Sequence, residues 1–291
     1  MSERDAPDET DDAGGTVEAV LDVVAEAAPE IRAGLPGRRR KSDEENPSGE
    51  VVTAADVWAD ELLGDRVGAV DGVGTYASEE REATVDTGSG LSVACDPLDG
   101  SSNLQSNNPM GTIVGVYDAP LPAEGRDLVG AAYVLYGPIT TMTAAVDGTV
   151  TEDVVADDGS RRAVREDLTL PEDPVVYGFG GRVPDWTDAF AEYAREVERE
   201  LKLRYGGAMI ADVNQVMTYG GVFAYPELGS APEGKLRLQF EGNPVGYVVE
   251  SAGGRASDGD GPLLDVPATG LHQRTPVYLG NEGLIESRER R

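Results

Sequence analysis

The chain has 291 residues, enough for one large domain or two ordinary ones with a substantial buried core. Its 54 acidic against 24 basic residues leave a formal net charge of −30, which argues against binding to nucleic-acid phosphates or to an anionic membrane surface. The single cysteine, Cys95, excludes an internal disulfide and a cysteine-rich zinc site, and the single histidine, His272, lies far from any nucleophile-like motif, which argues against Ser-His-Asp or Cys-His chemistry.

The basic residues include only three lysines, Lys41, Lys202 and Lys235. A chain this acidic and lysine-poor looks like a protein of a salt-loaded cytoplasm, because in molar salt the Debye length falls to ~3 Å and self-repulsion is largely screened. An apolar content of 40% with regular periodicity argues against disorder. No basic or apolar leader is visible, and the longest uncharged stretch, residues 128–146, is broken by Gly130, Gly137 and Pro138. It therefore reads as two buried strands and a turn rather than a membrane span. The expectation is a soluble cytoplasmic protein with no nucleic-acid or membrane partner.

In chain order, residues 1–15 read as a disordered acidic tail. An amphipathic helix follows, with Thr16 as N-cap and Val17, Val20, Leu21, Val24 and Ile31 on one face. Residues 34–49 read as a long mobile loop. Thr53, with Asp56 in the capping-box position, opens a second helix that runs through Leu63. Short strand-like runs come next at 73–77, 91–95, 112–117, 130–136 and 139–146. Residues 147–174 are charged and loop-like, and their Pro-rich end places a domain boundary between 170 and 171. Beyond it we predict a strand at 175–179, a helix at 185–201, a strand ending at Tyr205 and a helix from Met209. Strands at 222–225 and 236–240 and a Pro244 helix capped by Asn243 complete two mixed α/β halves.

The chemistry concentrates at the ends of two strands. Ser78-Glu79-Glu80 follows one, and Asp96-Pro97-Leu98-Asp99-Gly100-Ser101-Ser102-Asn103 follows another, where α/β sheets place ligands. Two aspartates three apart across a proline can aim at one point, and carboxylate oxygens alone suit Mg²⁺ or Mn²⁺ better than zinc. Gly100-Ser101-Ser102 adds successive backbone N–H groups and two hydroxyls, a small anion nest. Together they point to a metal-assisted phosphoryl reaction. Further on, Lys235 and Arg237 share one face of a strand, and Gln239 and Glu241 follow on that face if the strand continues. Such a cationic pair can hold a second phosphate away from the one being cleaved. Taken singly, the acidic pair also reads as a solvated turn and the cations as an edge-strand charge ladder.

The segment from Asp96 to Asn103 resembles the signature of the magnesium-dependent sugar phosphatases, most closely the class I fructose-1,6-bisphosphatases. Residues 46–50, 203–213, 219–226, 234–244 and 272–277 resemble further segments of that family, so the resemblance runs from about Thr16 to Leu284. It implies a layered α-β-α-β-α sandwich, with an N-terminal metal- and phosphate-binding domain at 16–170 and a sugar-phosphate-binding domain at 171–291. It implies hydrolysis of fructose 1,6-bisphosphate to fructose 6-phosphate, with two or three Mg²⁺ per subunit, Mn²⁺ substituting. Glu79, Asp96, Asp99, Glu241 and the Leu98 carbonyl would bind the ions, with Glu50 joining as its loop closes. Glu80 and Asp56 would position or deprotonate the attacking water. Asp99, Gly100, Ser101 and Ser102 would cradle the scissile phosphate, and Arg204, Tyr205, Tyr225, Lys235 and Arg237 would hold the sugar and the distal phosphate. In the family the arginine matching Arg204 comes from a neighbouring subunit, which implies a homodimer or homotetramer. Where the family has an asparagine at the distal phosphate this chain has Gly180. A related inositol or nucleotide phosphatase is the rival reading, but neither Trp58 nor Trp186 is followed by the aspartate those enzymes carry. Sedoheptulose bisphosphate stays open as a second substrate. His272 reads as structural.

Overall fold

A computed structural model describes residues 9–39, 41–47 and 51–290. The first apolar stripe forms α1 (Glu9–Gly34), whose Val17, Val20, Leu21, Val24 and Ile31 are buried. Each such side chain gains ~1.5–3 kcal/mol on full burial, so tertiary packing contributes strongly to holding the helix. It already includes residues 9–15, which are helical rather than a disordered tail, and Thr16 lies inside the helix; residues 1–8 of the expected tail lie outside the described residues.

Most of the described part of the expected mobile loop is ordered. A short 3₁₀ turn (Leu35–Arg38) precedes β1 (Lys41–Glu45), which pairs antiparallel with β2 (Val51–Thr53). Thr53 then caps α2 (Ala54–Val67) as the sequence predicts. Its hydroxyl accepts from the Ala55 and Asp56 amides at 3.2 and 3.3 Å, and the Thr53 amide donates to Asp56 Oδ2 at 2.6 Å.

The next strands build an eight-stranded mixed sheet. They are β3 (Val73–Ser78), β4 (Val85–Asp86), β5 (Leu91–Asp99), β6 (Met110–Tyr117), β7 (Leu128–Tyr136), β8 (Thr140–Val146), β9 (Thr149–Val155) and β10 (Arg161–Arg165), in the order β10-β9-β8-β7-β6-β5-β3-β4. A one-turn helix, α3 (Asn103–Ser106), lies between β5 and β6. The pair β9–β10 corrects the expected loop over 147–174. It is a charged edge hairpin closed by Gly159 at φ +83°, and Arg161 joins it to Glu18 and Asp22 of α1 at 2.9 and 2.6 Å.

The second half supplies β11 (Val176–Phe179), α4 (Asp188–Glu200), β12 (Lys202–Leu203), α5 (Met209–Tyr219), β13 (Gly221–Tyr225), β14 (Leu236–Arg237), α6 (Asn243–Ser251), β15 (Arg255–Ser257), β16 (Arg274–Thr275), β17 (Val277–Gly280) and α7 (Glu282–Glu289). Five of these strands form a sheet ordered β12-β11-β13-β17-β15, and β14 pairs with β16. The predicted strand at 236–240 stops at Arg237. Residues Leu238–Gly242 instead form a π-helical turn that runs into α6, so Asn243 lies within the helix rather than capping it.

The layers follow from the contacts. Helices α1 and α2 cover one face of the large sheet, α5 and α6 fill the space between the two sheets, and α4 and α7 cover the far face of the small one. This is the expected α-β-α-β-α sandwich. One hydrophobic cluster runs through the central layer, with Ile113 and Tyr133 of the large sheet, Val213 and Val248 of the helices, and Phe223 and Leu279 of the small sheet.

Candidate active site

Strands β3 and β5 lie side by side and parallel, with Ser78 opposite Cys95. That register delivers the next residue of each strand, Glu79 and Asp96, to neighbouring positions at the sheet's carboxyl end, and the Glu79 amide donates to the Cys95 carbonyl at 3.0 Å. Glu241 arrives from the other half on the π-helical turn. Oxygens of Glu79, Asp96 and Glu241 all lie within 4.8 Å of one another, and all three residues are buried. Burial and the neighbouring carboxylates Glu79, Asp99 and Glu241 push the Asp96 carboxyl well above its ordinary range.

Around this cluster is a cavity of about 260 Å³. Among the described residues, seven carboxylates line it (Asp56, Glu79, Glu80, Asp96, Asp99, Asp212 and Glu241), against two cations, Lys235 and Arg237. Buried acids held this close repel one another unless protons or cations intervene. Hard, all-oxygen ligands without sulfur or nitrogen fit a small dication such as Mg²⁺ or Mn²⁺.

The phosphate-cradle segment is fixed by short hydrogen bonds. Asp96 Oδ1 accepts from the Leu98 amide at 2.9 Å, and the Leu98 carbonyl accepts from the Ser101 amide at 3.1 Å. Gly100 has φ +73°, and a Cβ there would overlap the Ala208 side chain at the entry to α5. Asp99 Oδ2 accepts from the Ile210 amide at 2.9 Å, so Asp99 sits on the first turn of α5, beside rather than within the three-carboxylate cluster. Burial and Glu241 raise its pKa to about 7. The Ser101 hydroxyl bonds Asp56. Ser102 is exposed at the rim.

Glu80 is half-buried, and burial with the nearby Asp56 charge raises its pKa to about 8. Asn46 hydrogen-bonds it. Asp56 serves the α2 capping box and lines the cavity too, its carboxyl raised by burial. Glu50 lies outside the described residues.

At the far side Lys235 is exposed, with Nζ 5.9 Å from the centre of the Tyr225 ring, and Tyr205 lines the wall beside them, its hydroxyl raised to about 12 by burial. Arg237 departs from the expected arrangement. It is buried and paired with Glu79 at 3.0 Å and Glu241 at 3.7 Å, and its amide donates to Glu241 Oε2 at 2.6 Å. Because the chain leaves the strand after Arg237, Glu241 folds back onto it instead of following in line. Arg204 is exposed and does not line the cavity.

Three contributors lie in the segments that the sequence singles out but carry no role in that reading. Asp212 Oδ1 and Oδ2 accept from the Gly206 and Gly207 amides at 2.6 and 3.3 Å, and Asn103 Nδ2 donates to the Gly206 and Pro109 carbonyls at 2.8 Å each. Asn103 thereby ties the 206–208 loop to the cradle segment, and Asp212 ties it to α5. Asn46 is the third. The usable signal was Asp212 itself, a lone acid among Met209, Ile210, Ala211 and Val213.

Family models described as "Fructose-1-6-bisphosphatase, N-terminal domain" and "Fructose-1-6-bisphosphatase, C-terminal domain" match residues 30–160 and 170–290. A "Fructose-1,6-bisphosphatase class 1" of Natronomonas pharaonis is 62% identical, over 94% of this chain and 97% of its own. One of Halobacterium salinarum is 58% identical, over 92% and 94%. A crystal structure of Leishmania major fructose-1,6-bisphosphatase in holo form superposes with a TM-score of 0.87 at 27% identity, covering 95% of this chain and 94% of that one.

Proposed function

Because the chain belongs to the fructose-1,6-bisphosphatase family, a family of phosphomonoester hydrolases, we propose that this cavity is where it converts fructose 1,6-bisphosphate to fructose 6-phosphate and phosphate. The observation that carries this reading is the buried Glu79–Asp96–Glu241 cluster beside the Gly100–Ser102 cradle, with Lys235 across the cavity.

Glu79, Asp96 and Glu241 would hold Mg²⁺, with Asp99 and the Leu98 carbonyl at the edge of the set, in an assembly of two or three ions per subunit for which Mn²⁺ can substitute. Bound there, the ions would polarise the phosphoryl oxygens and stabilise the departing oxygen. Glu80, poised near neutrality with Asp56 beside it, takes the proton of the attacking water. Gly100, Ser101 and Ser102 orient the 1-phosphate for in-line attack. Tyr205 and Tyr225 flank the sugar, and Lys235 receives the distal phosphate. Arg237 belongs with the metal carboxylates more than with that phosphate.

Arg204, exposed next to the edge strand β12, is read as completing a neighbouring subunit's site in a homodimer or homotetramer. We take the two halves as domains meeting near residue 170 and the enzyme as cytoplasmic; among the described residues no helix is long and apolar enough to cross a membrane. The relatives come from halophilic archaea, in keeping with the acidic composition.

Replacing Lys235 tests the substrate assignment. Lys235→Ala removes a charge-assisted hydrogen bond, ~1.5–3 kcal/mol, so KM for the bisphosphate should rise roughly 10–100-fold with kcat much less affected. An unchanged KM would place the second phosphate elsewhere.

A further inference from the structure

We propose that His272 is a positioning residue of the cation site, clamping the turn that carries Glu79 and Glu80 to the π-helical turn that carries Glu241. The two turns belong to different halves of the chain. The β3–β5 register fixes Glu79 against Asp96, and Glu241 is tied to that sheet by Arg237, which pairs with both Glu79 and Glu241, and by the Tyr117 hydroxyl on the Gln239 carbonyl; His272 adds a further tie.

The geometry of the clamp is specific. His272 Nε2 lies 2.8 Å from the carbonyl oxygen of Arg81, two residues past Glu79. A backbone carbonyl can only accept, so Nε2 carries the proton and the ring is the neutral Nε2–H tautomer. Burial, which lowers the His272 pKa, favours the same neutral form. Nδ1 is buried with no hydrogen-bond partner among the described residues, so the ring makes one polar contact and directs it at the Glu79–Glu80 turn.

Its other contacts are to the Glu241 side. The ring packs on Phe240, centroids 5.3 Å apart and planes at 46°, and Phe240 is fully buried next to Glu241. The adjacent Gln273 carbonyl accepts from the Leu238 amide at 2.8 Å, and Thr275 and Arg274 pair with Leu236 and Arg237. The backbone around His272 is thus registered on the π-helical turn, and its side chain crosses to Arg81. Arg81 in turn is anchored to α2, Nε to Asp60 Oδ2 at 2.8 Å. The resulting path is α2, Arg81, His272, Phe240 and Glu241. It opposes the mutual repulsion of the buried carboxylates, whose oxygens must stay within a few tenths of an ångström of their working positions to share an ion.

This rests on reading Glu79, Asp96 and Glu241 as the cation's ligands, and the test separates the two ideas. Mn²⁺ binding to the full chain is measured by titration calorimetry without substrate, alongside steady-state kinetics and thermal unfolding. Wild-type protein should bind Mn²⁺ and Asp96→Asn should bind it far more weakly; no uptake by the wild type, or equal uptake by both, would overturn the ligand reading itself. With that established, His272→Phe keeps a ring on Phe240 but loses the donor. It should weaken Mn²⁺ about 10-fold, with KM for the bisphosphate at saturating metal within about twofold. His272→Gln, which restores an N–H donor at similar reach, should recover most of the loss. If the Phe variant does not fold, His272→Asn, whose amide stops short of Arg81, should show the same weakening. Wild-type Mn²⁺ affinity in the donor-less variant, even at lowered melting temperature, would make His272 a structural residue only. A Gln variant no better than Phe would also overturn the clamp.

Discussion

Asp212 occupies a place where a carboxylate is costly, and the structure shows what offsets the cost. Burial raises its pKa to about 6, while the Gly206 and Gly207 amides favour the ionised form that holds their loop. The sign of the linkage follows. With a folded-state pKa above the ordinary 3.8, the group's contribution to stability is fully present below about 3.8 and lost as pH rises through about 6. Relative to the wild type, Asp212→Asn should therefore gain stability as pH rises from about 4 to about 6, with a constant difference above that; thermal unfolding of both proteins across the range checks it. A difference that does not change with pH would mean that the residue is not titrating there. Asp96 and Asp99 were legible in the sequence because a rigid eight-residue segment holds them together. The roles of Asp212 and Asn103 were not, because both act on backbone groups: Asp212 on the amides five and six residues before it, and Asn103 on the Pro109 carbonyl and on the Gly206 carbonyl, 103 residues away.

At the scale of elements, the cradle depends on a close approach that only glycine permits. Gly100→Ala forces φ +73° on a residue with a Cβ and drives that Cβ into Ala208, a combined cost of ~2–6 kcal/mol before relaxation. The variant should unfold at lower temperature and lose most of its turnover, and adding Ala208→Gly should restore part of both by removing the collision. Absence of any rescue would argue against the packing described. The apolar helices and central strands could be read from their periodicity, since each presents one buried face or two. Two elements could not. In the β9–β10 hairpin the largely exposed edge strand is β10, and its charges form ion pairs, Arg161 with Glu18 and Asp22 of α1 and Arg165 with Glu152 of β9, so the sequence looks like a loop. Residues 236–240 alternate like a strand, but Gln239 turns inward, its Oε1 accepting from the Ala123 amide at 2.8 Å and its carbonyl from the Tyr117 hydroxyl at 3.0 Å. Those tertiary bonds wind the chain into a π-helical turn and carry Glu241 back to Arg237.

For the whole molecule, the net charge of −30 and the shared central layer pull in opposite directions. Repulsion among carboxylates opposes compaction, while α5 and α6 bury one continuous apolar cluster against both sheets. At ~0.1 M salt the screening length is ~10 Å and repulsion reaches across neighbouring surface charges; at ~1 M it is ~3 Å and confined to contacts. The melting temperature should therefore rise from ~0.1 M to ~1 M KCl, and activity should persist at the upper end. A melting temperature independent of salt would contradict the reading of the composition as an adaptation to salt. The architecture was legible as two mixed α/β halves, yet the layering rests on contacts between them that local periodicity does not encode.

The most direct measurement is phosphate release from a panel comprising fructose 1,6-bisphosphate, sedoheptulose bisphosphate, inositol monophosphate and a nucleotide monophosphate, in high salt with Mg²⁺ and again with excess chelator. Fructose 1,6-bisphosphate should be hydrolysed at the 1-position faster than the monophosphates, and chelation should abolish the reaction. Preferential hydrolysis of a monophosphate, or undiminished release with the metal removed, would contradict the assignment of this site.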